Sequence, residues 1–169
     1  MQKKIEFVSG ILQAPAMTRA FLIAAALLLA ASAKPDAASN PKILKVLPHF
    51  LDQQGRHTLS PSLYERDAYQ AQLRKHPEKI SAVRFDIQWN PGSIKSTNWK
   101  IRAEILGRKS APNEIKTIEK PVSPSFWFEN WSALPLSPEE FRALGEVNAW
   151  RITLWEGDTL RAEQKSFLW

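Results

Sequence analysis

The sequence predicts a mainly β domain: two packed antiparallel sheets of about seven strands, with one surface helix over about 62–75 and a short helical turn over about 138–144. Three observations carry this. From Ser81 onward apolar and polar residues alternate with period two, as in SAVRFDIQWN and NWKIRAEIL. Turn chemistry such as NPG and EGD separates the alternating runs. A single stretch, SPSLYERDAYQAQLRKHP, carries helix start and stop signals of useful length.

The chain of 169 residues opens with segments that read as processing signals rather than fold. From Met17, MTRAFLIAAALLLAASAKPD has basic Arg19, an apolar run from Ala20 to Ala31 and the small-residue site Ala31-Ser32-Ala33, the parts of a secretory signal. That run is short of the about 20 apolar residues that cross a bilayer. Residues 1–33 are therefore expected to be a signal peptide, with 1–16 an upstream misassigned start and Lys34 the first mature residue. No membrane span is expected after cleavage, and the protein is expected in the periplasm or outside the cell. Residues 34–41 (KPDAASNP) read as a flexible lead-in, and 42–169 as one domain.

The first strand is KILKVLPHFLD, Lys42 to Asp52, placed at an edge because Pro48 cannot donate to a ladder. Asp52 suits the opening of a turn and Gly55 its left-handed position, with a short return through His57 to Leu59. In the helix, Ser60 is the expected cap, Pro61 sits in the first turn, Glu65 and Asp67 favour the positive end, Arg74 and Lys75 the negative end, and Pro77 stops it. Tyr64, Ala68 and Ala71 form one stripe with Leu63 beside it, and Tyr69 and Leu73 a neighbouring one.

Val83, Phe85, Ile87 and Trp89 then alternate with Arg84, Asp86 and Gln88, and Trp99, Ile101, Ala103 and Ile105 with Lys100, Arg102 and Glu104, giving two half-buried strands. EIKTIEKPV is a mixed-pattern strand suited to an edge, and SFWFENWSALPL an aromatic-rich one. SPEEFRALG reads as a helical turn with Ser137 as cap, Pro138 first and Gly145 as stop. NAWRITLWEGD and TLRAEQKSFLW form the last hairpin. Parity favours a three-residue loop, Glu156-Gly157-Asp158, pairing Leu154 with Leu160, Ile152 with Ala162 and Arg151 with Glu163.

Strand count, the helical turn ahead of NAWRITLWEGD and the closing strand TLRAEQKSFLW resemble the immunoglobulin-like and fibronectin type III-like sandwiches over about residues 80–169. The chain also looks like small exported bacterial proteins without an assigned function. The resemblance implies the architecture of a two-sheet sandwich and, because that architecture hosts many unrelated activities, no particular function.

Charge and motifs narrow the function. The chain holds 23 basic and 17 acidic residues; without Lys3, Lys4, Arg19 and Glu6 of the leader, 20 and 16 remain, a net of +4. The bases are dispersed among acids rather than gathered into a stripe, which argues against nucleic acid as a partner. Cysteine is absent, so neither disulfides nor a thiol nucleophile are available. No GxSxG turn or glycine-rich phosphate loop occurs. His49 and His57 flank the first turn around Asp52, a spacing too loose for a zinc site, and His76 fits a helix end. Glu139 and Glu140 fit the start of a helical turn for dipole reasons alone. No catalytic residues, metal or cofactor are expected.

All seven tryptophans lie after residue 33. Trp127 and Trp131 share a strand face with Glu129, opposite Phe126 and Phe128, while Trp155 lies with Arg151 and Thr153, and Phe167 and Trp169 with Arg161, Glu163 and Lys165. A membrane barrel is disfavoured because these charges would face lipid. The aromatics on polar faces have two readings: a cover, in which the helix lays Tyr64 and Leu63 over Trp155, Phe167 or Trp169, or a ligand surface. The cover is preferred because a stable monomer seldom leaves a large apolar patch open. The expected function is an exported, non-catalytic binding or structural module of the envelope or extracellular space, with an envelope protein or polysaccharide as partner. The alternative is a carbohydrate-binding module using Trp127, Glu129, Trp131, Trp155 and Trp169. An enzyme of unrecognised type ranks third.

Overall fold

The computed structural model describes residues 39–111, 114–125 and 129–169. The expected signal peptide and most of the lead-in, together with Phe126, Trp127 and Phe128, lie outside the described residues. The described residues are mainly β, with seven strands in two antiparallel sheets. One sheet has three strands in the order β1 (Lys42–Asp52), β2 (Ile80–Asn90) and β5 (Asn130–Pro135). The other has four in the order β4 (Lys116–Val122), β3 (Trp99–Gly107), β6 (Val147–Glu156) and β7 (Thr159–Lys165). Two helices, α1 (Leu63–Lys75) and α2 (Pro138–Leu144), and a 3-10 turn at Pro77–Lys79 complete it.

The alternation of β2 and β3 decides how the sheets meet. Phe85, Ile87 and Trp89 from one sheet and Trp99, Ile101, Ala103, Ile105, Ile152 and Leu154 from the other form one buried core with Leu134 and Leu136. Each fully buried large aromatic removes about 150–250 Å² from water, so these few rings supply much of the burial that a chain without disulfides needs. Both central indoles keep their N–H groups bonded, Trp89 to the Ser132 hydroxyl at 3.1 Å and Trp99 to the Ser96 carbonyl at 2.9 Å. Their rings pack at 5.9 Å. Trp150 sits on the same inward face of β6 and meets Phe85 edge-on.

Pro48 lies on an edge strand as expected, and so does β4. Asp52 and Gly55 make the predicted turn, with Gly55 at a φ of 74°. The return through His57 to Leu59 does not form: β1 pairs with β2, and His57 to Leu59 run as an irregular connection to the helix. The reason is supply of partners, since β2 offers β1 a full-length ladder from Lys42–Asn90 to Asp52–Ile80.

The helix begins later than predicted. Ser62, not Ser60, is the cap, its hydroxyl accepting from the Glu65 N–H, and Pro61 precedes it. The docking stripe also differs: Leu63, Tyr64, Ala68 and Ala71 face solvent, while Gln70 and Leu73 are buried, with Arg66 and Tyr69 half-buried beside them. Residues 66, 69, 70 and 73 have helical spacing, but the stripe is polar because it docks on the backbone and charged groups of β1 rather than on an oily sheet. Asp52 receives the Tyr69 hydroxyl at 2.7 Å and the Arg56 Nε–H at 2.8 Å. The predicted cover is thereby corrected: α1 packs along β1 of the three-stranded sheet, and Tyr64 remains 84% exposed.

The turn before β6 matches its prediction in detail. Ser137 and Glu140 form a reciprocal capping box, Pro138 is first and Gly145 ends α2 at a φ of 72°. Leu144 from this turn seals the end of the core, so close to Gly107 of β3 that a Cβ there would stand 2.3 Å from the Leu144 Cγ.

The last hairpin departs from the predicted registry. Glu156 pairs with Thr159, leaving a two-residue loop of Gly157 and Asp158, and Trp155 pairs with Leu160. A bulge at Arg161 then shifts the ladder, so Leu154 meets Ala162, Thr153 meets Glu163 and Ile152 meets Gln164. Parity favours a three-residue loop only for an unbroken ladder; one extra residue in β7 restores matching faces after a two-residue loop. Strand β7 ends at Lys165, and a turn closed by the Trp169 N–H on the Ser166 carbonyl brings Trp169 back. Phe167 points fully into solvent instead of continuing the strand.

Candidate functional site

Because Phe85 and Ile87 turn inward, Arg84, Asp86 and Gln88 occupy the outer face of the three-stranded sheet. The registers set His49 opposite Arg84, Leu47 opposite Asp86, Ala133 opposite Asp86 and Trp131 opposite Gln88, all on that same face. Above them pass His57 from the β1–α1 connection and Arg66 from the docked face of α1. The result is a shallow cleft of about 350 Å³ lined by Leu47, His49, His57, Arg66, Arg84, Asp86, Trp131, Ser132 and Ala133.

Asp86 is the anchor of its polar floor. His49 Nδ1 lies 2.8 Å from Asp86 Oδ2, and an Arg84 terminal nitrogen donates to the same oxygen at 2.8 Å. Burial alone would raise the Asp86 carboxyl, but the bonds from His49 and Arg84 outweigh it and hold the group below the usual carboxylate range. The His57 ring lies 5.3 Å from that of His49. Burial and then the positive charge of Arg84 lower its proton affinity. The Arg84 Nε–H is buried and has no acceptor among the described residues.

The pair His49 and His57, singled out in sequence, is thus brought together, but with a different carboxylate. Asp52, expected between them, instead binds Arg56 and Tyr69 and the Gln54 and Arg56 backbone N–H groups. Arg66, Arg84 and Asp86 escaped the sequence reading. They become legible only when β1 is paired with β2, since parity then puts 49 and 84 side by side. Among the described residues no group of three or more His, Asp or Glu is placed to hold a metal ion.

The four described candidate residues do not share one face. Trp127 lies outside the described residues. Glu129 directly precedes β5 and accepts the Trp131 indole N–H at 3.3 Å. Trp131 is 46% exposed at one end of the cleft. Trp155 and Trp169 lie on the other side of the molecule, over the outer face of the four-stranded sheet, where arginines cover them. The Arg102 guanidinium stands 4.8 Å from the Trp155 ring and that of Arg151 5.1 Å from Trp169. These arginines belong to a cross-strand ladder in which Arg102 and Lys100 meet Glu119, and Arg151 meets Glu104 and Glu163.

Comparison with protein-family models, with curated proteins and with solved structures yields no match. No helix among the described residues is long and apolar enough to cross a membrane.

Proposed function

We propose that the protein is an exported, non-catalytic immunoglobulin-like module of the cell envelope or extracellular space, binding its partner through the cleft on the three-stranded sheet. The strand order supports the finer fold reading: β1-β2-β5 corresponds to strands A, B and E of such sandwiches, and β4-β3-β6-β7 to C′, C, F and G. The leader Met17–Ala33 supports export.

The observation that carries the binding reading is the cleft itself, where an exposed indole adjoins fixed charges. Its groups are committed to holding one another: Asp86 accepts from both His49 and Arg84, and the Ser132 hydroxyl accepts the Trp89 indole. Such a rigid polar floor suits recognition. The alternative, a sugar platform of all five residues, draws less support from Trp155 and Trp169, each of which has a guanidinium over its ring, than from Trp131 and Glu129.

The test is fractionation of expressing cells, followed by binding of the purified chain to envelope polysaccharide and protein fractions. The reading expects a processed protein beginning at Lys34 in the envelope or medium, and binding that Trp131→Ala weakens. An intact amino terminus in the cytoplasm, or turnover of a substrate that His49→Ala abolishes, overturns it.

A further inference from the structure

We propose that the cleft takes a single carboxylate-bearing sugar ring, its pyranose against Trp131 and its carboxylate toward Arg66 and Arg84. This rests on the binding-module reading and specifies its ligand class. Size is the first argument. Small-ligand pockets span about 300–1,000 Å³, so a cleft of about 350 Å³ admits one ring and leaves the rest of a saccharide in solvent.

The aromatic is the second argument. Of the tryptophans on outer faces, Trp155 and Trp169 lie under guanidinium groups, whereas among the described residues none stacks on Trp131. Trp131 is 46% exposed and its indole N–H is directed to Glu129, so the ring is fixed while part of its apolar surface stays open. An open, oriented indole is a flat apolar surface for the C–H face of a sugar.

Charge is the third. The cleft is lined by two arginines and a single carboxylate, Asp86, which already accepts from His49 and Arg84. Arg66 is bonded to Asp67, whose side chain is 70% exposed, so that partner is readily exchanged for another carboxylate. Arg84 lines the cleft and gives one terminal nitrogen to Asp86. Guanidinium groups bind carboxylates through paired N–H donors, which a neutral sugar does not require. An inorganic anion, in turn, makes no use of Trp131.

The chain has only three histidines, and this gives a clean readout. His49 and His57 line the cleft, while His76 caps the far end of α1 and serves as an internal control. The purified chain is titrated with a glucuronate-containing oligosaccharide, its neutral glucose counterpart and inorganic phosphate, following the histidine ring protons by NMR and the affinity by calorimetry. The glucuronate oligosaccharide is expected to shift His49 and His57 but not His76, and to bind at least tenfold more tightly than the neutral one. Trp131→Ala and Arg66→Gln each weaken it at least tenfold with His76 unchanged, and phosphate fails to compete. Equal affinity for the two saccharides, or competition by phosphate as strong as by the oligosaccharide, overturns the ligand class. Binding to envelope fractions without movement of His49 or His57 overturns the cleft assignment and leaves only a module that binds through another surface, whereas no binding to any fraction overturns the binding reading as a whole.

Discussion

Gln70 on α1 completes the edge of β1 at Phe50. Its Oε1 accepts the Phe50 N–H at 2.8 Å, and its Nε2 donates to the Phe50 carbonyl at 2.9 Å and to the His57 carbonyl at 2.8 Å. One amide thus does for an edge strand what a neighbouring strand would do, and joins helix, connection and sheet above the cleft.

Replacing Gln70 by Met keeps most of its volume and removes all three bonds. Leaving a buried polar group unpaired costs about 1–3 kcal/mol, so Gln70→Met is expected to lower unfolding stability by about 2–4 kcal/mol. Urea denaturation checks this; a loss below about 0.5 kcal/mol would show that water replaces the amide without cost.

Asp52 makes stability depend on acid. Burial would raise its carboxyl, but the bonds from the Arg56 backbone, Tyr69, the Arg56 side chain and Gln54 bring it from 3.8 down to about 2. Between these values the unfolded chain binds the proton and the folded chain does not. Its contribution is therefore complete above about pH 4 and lost as pH falls through about 2. Tyr69→Phe removes one of these bonds and should flatten the acid limb of a stability-against-pH curve; an unchanged limb counts against the assignment.

Two glycines should respond differently to alanine. At Gly107 a Cβ would meet the Leu144 carbonyl oxygen at 2.2 Å, backbone that cannot swing aside. Gly107→Ala should cost about 1–3 kcal/mol by overpacking. At Gly55 no atom lies within 4 Å of a Cβ, and only the φ of 74° opposes substitution. A cost of about 1 kcal/mol is expected there. Thermal melts of the two variants give the order, and a reversal would refute the close approach of α2 to β3.

Arg151 shields Trp169. It is held at 2.6 Å by Glu104 and at 3.8 Å by Glu163 while covering the indole. Arg151→Ala should raise quenching of tryptophan fluorescence by acrylamide, with a stability loss of only about 0.5–1 kcal/mol because the site is partly open. Unchanged quenching would mean that the tail from Ser166 covers the ring unaided.

The capping box gives a smaller check. Ser137→Ala removes the acceptor of the Glu140 N–H at 3.1 Å and should cost about 0.5–2 kcal/mol. An unchanged unfolding midpoint would place α2 under the control of Leu144 packing alone.

The errors of sequence reading share a cause. Period two located the strands because alternation is a local property of each one. Helical apolar spacing points to Tyr64 and Leu63 as the contact residues of α1, while the docked stripe is Arg66, Tyr69, Gln70 and Leu73. Period two misreads the last hairpin because nothing local announces the bulge at Arg161. His49 and His57 were legible as a pair, yet their carboxylate, Asp86, stands 37 residues from His49.

What the residues determined without help from the fold is the set of elements: inward faces of β2, β3 and β6, the capped turn from Ser137 to Gly145, and an edge position for Pro48. These follow from side-chain direction and backbone donors, which depend only on near neighbours. The tertiary structure alone decided that β1 takes β2 as partner, that α1 docks through polar groups, and that arginines rather than the helix cover Trp155 and Trp169. Those outcomes depend on which distant strand satisfies which hydrogen bonds, and so the cleft around Asp86 exists only once the sheets are assembled.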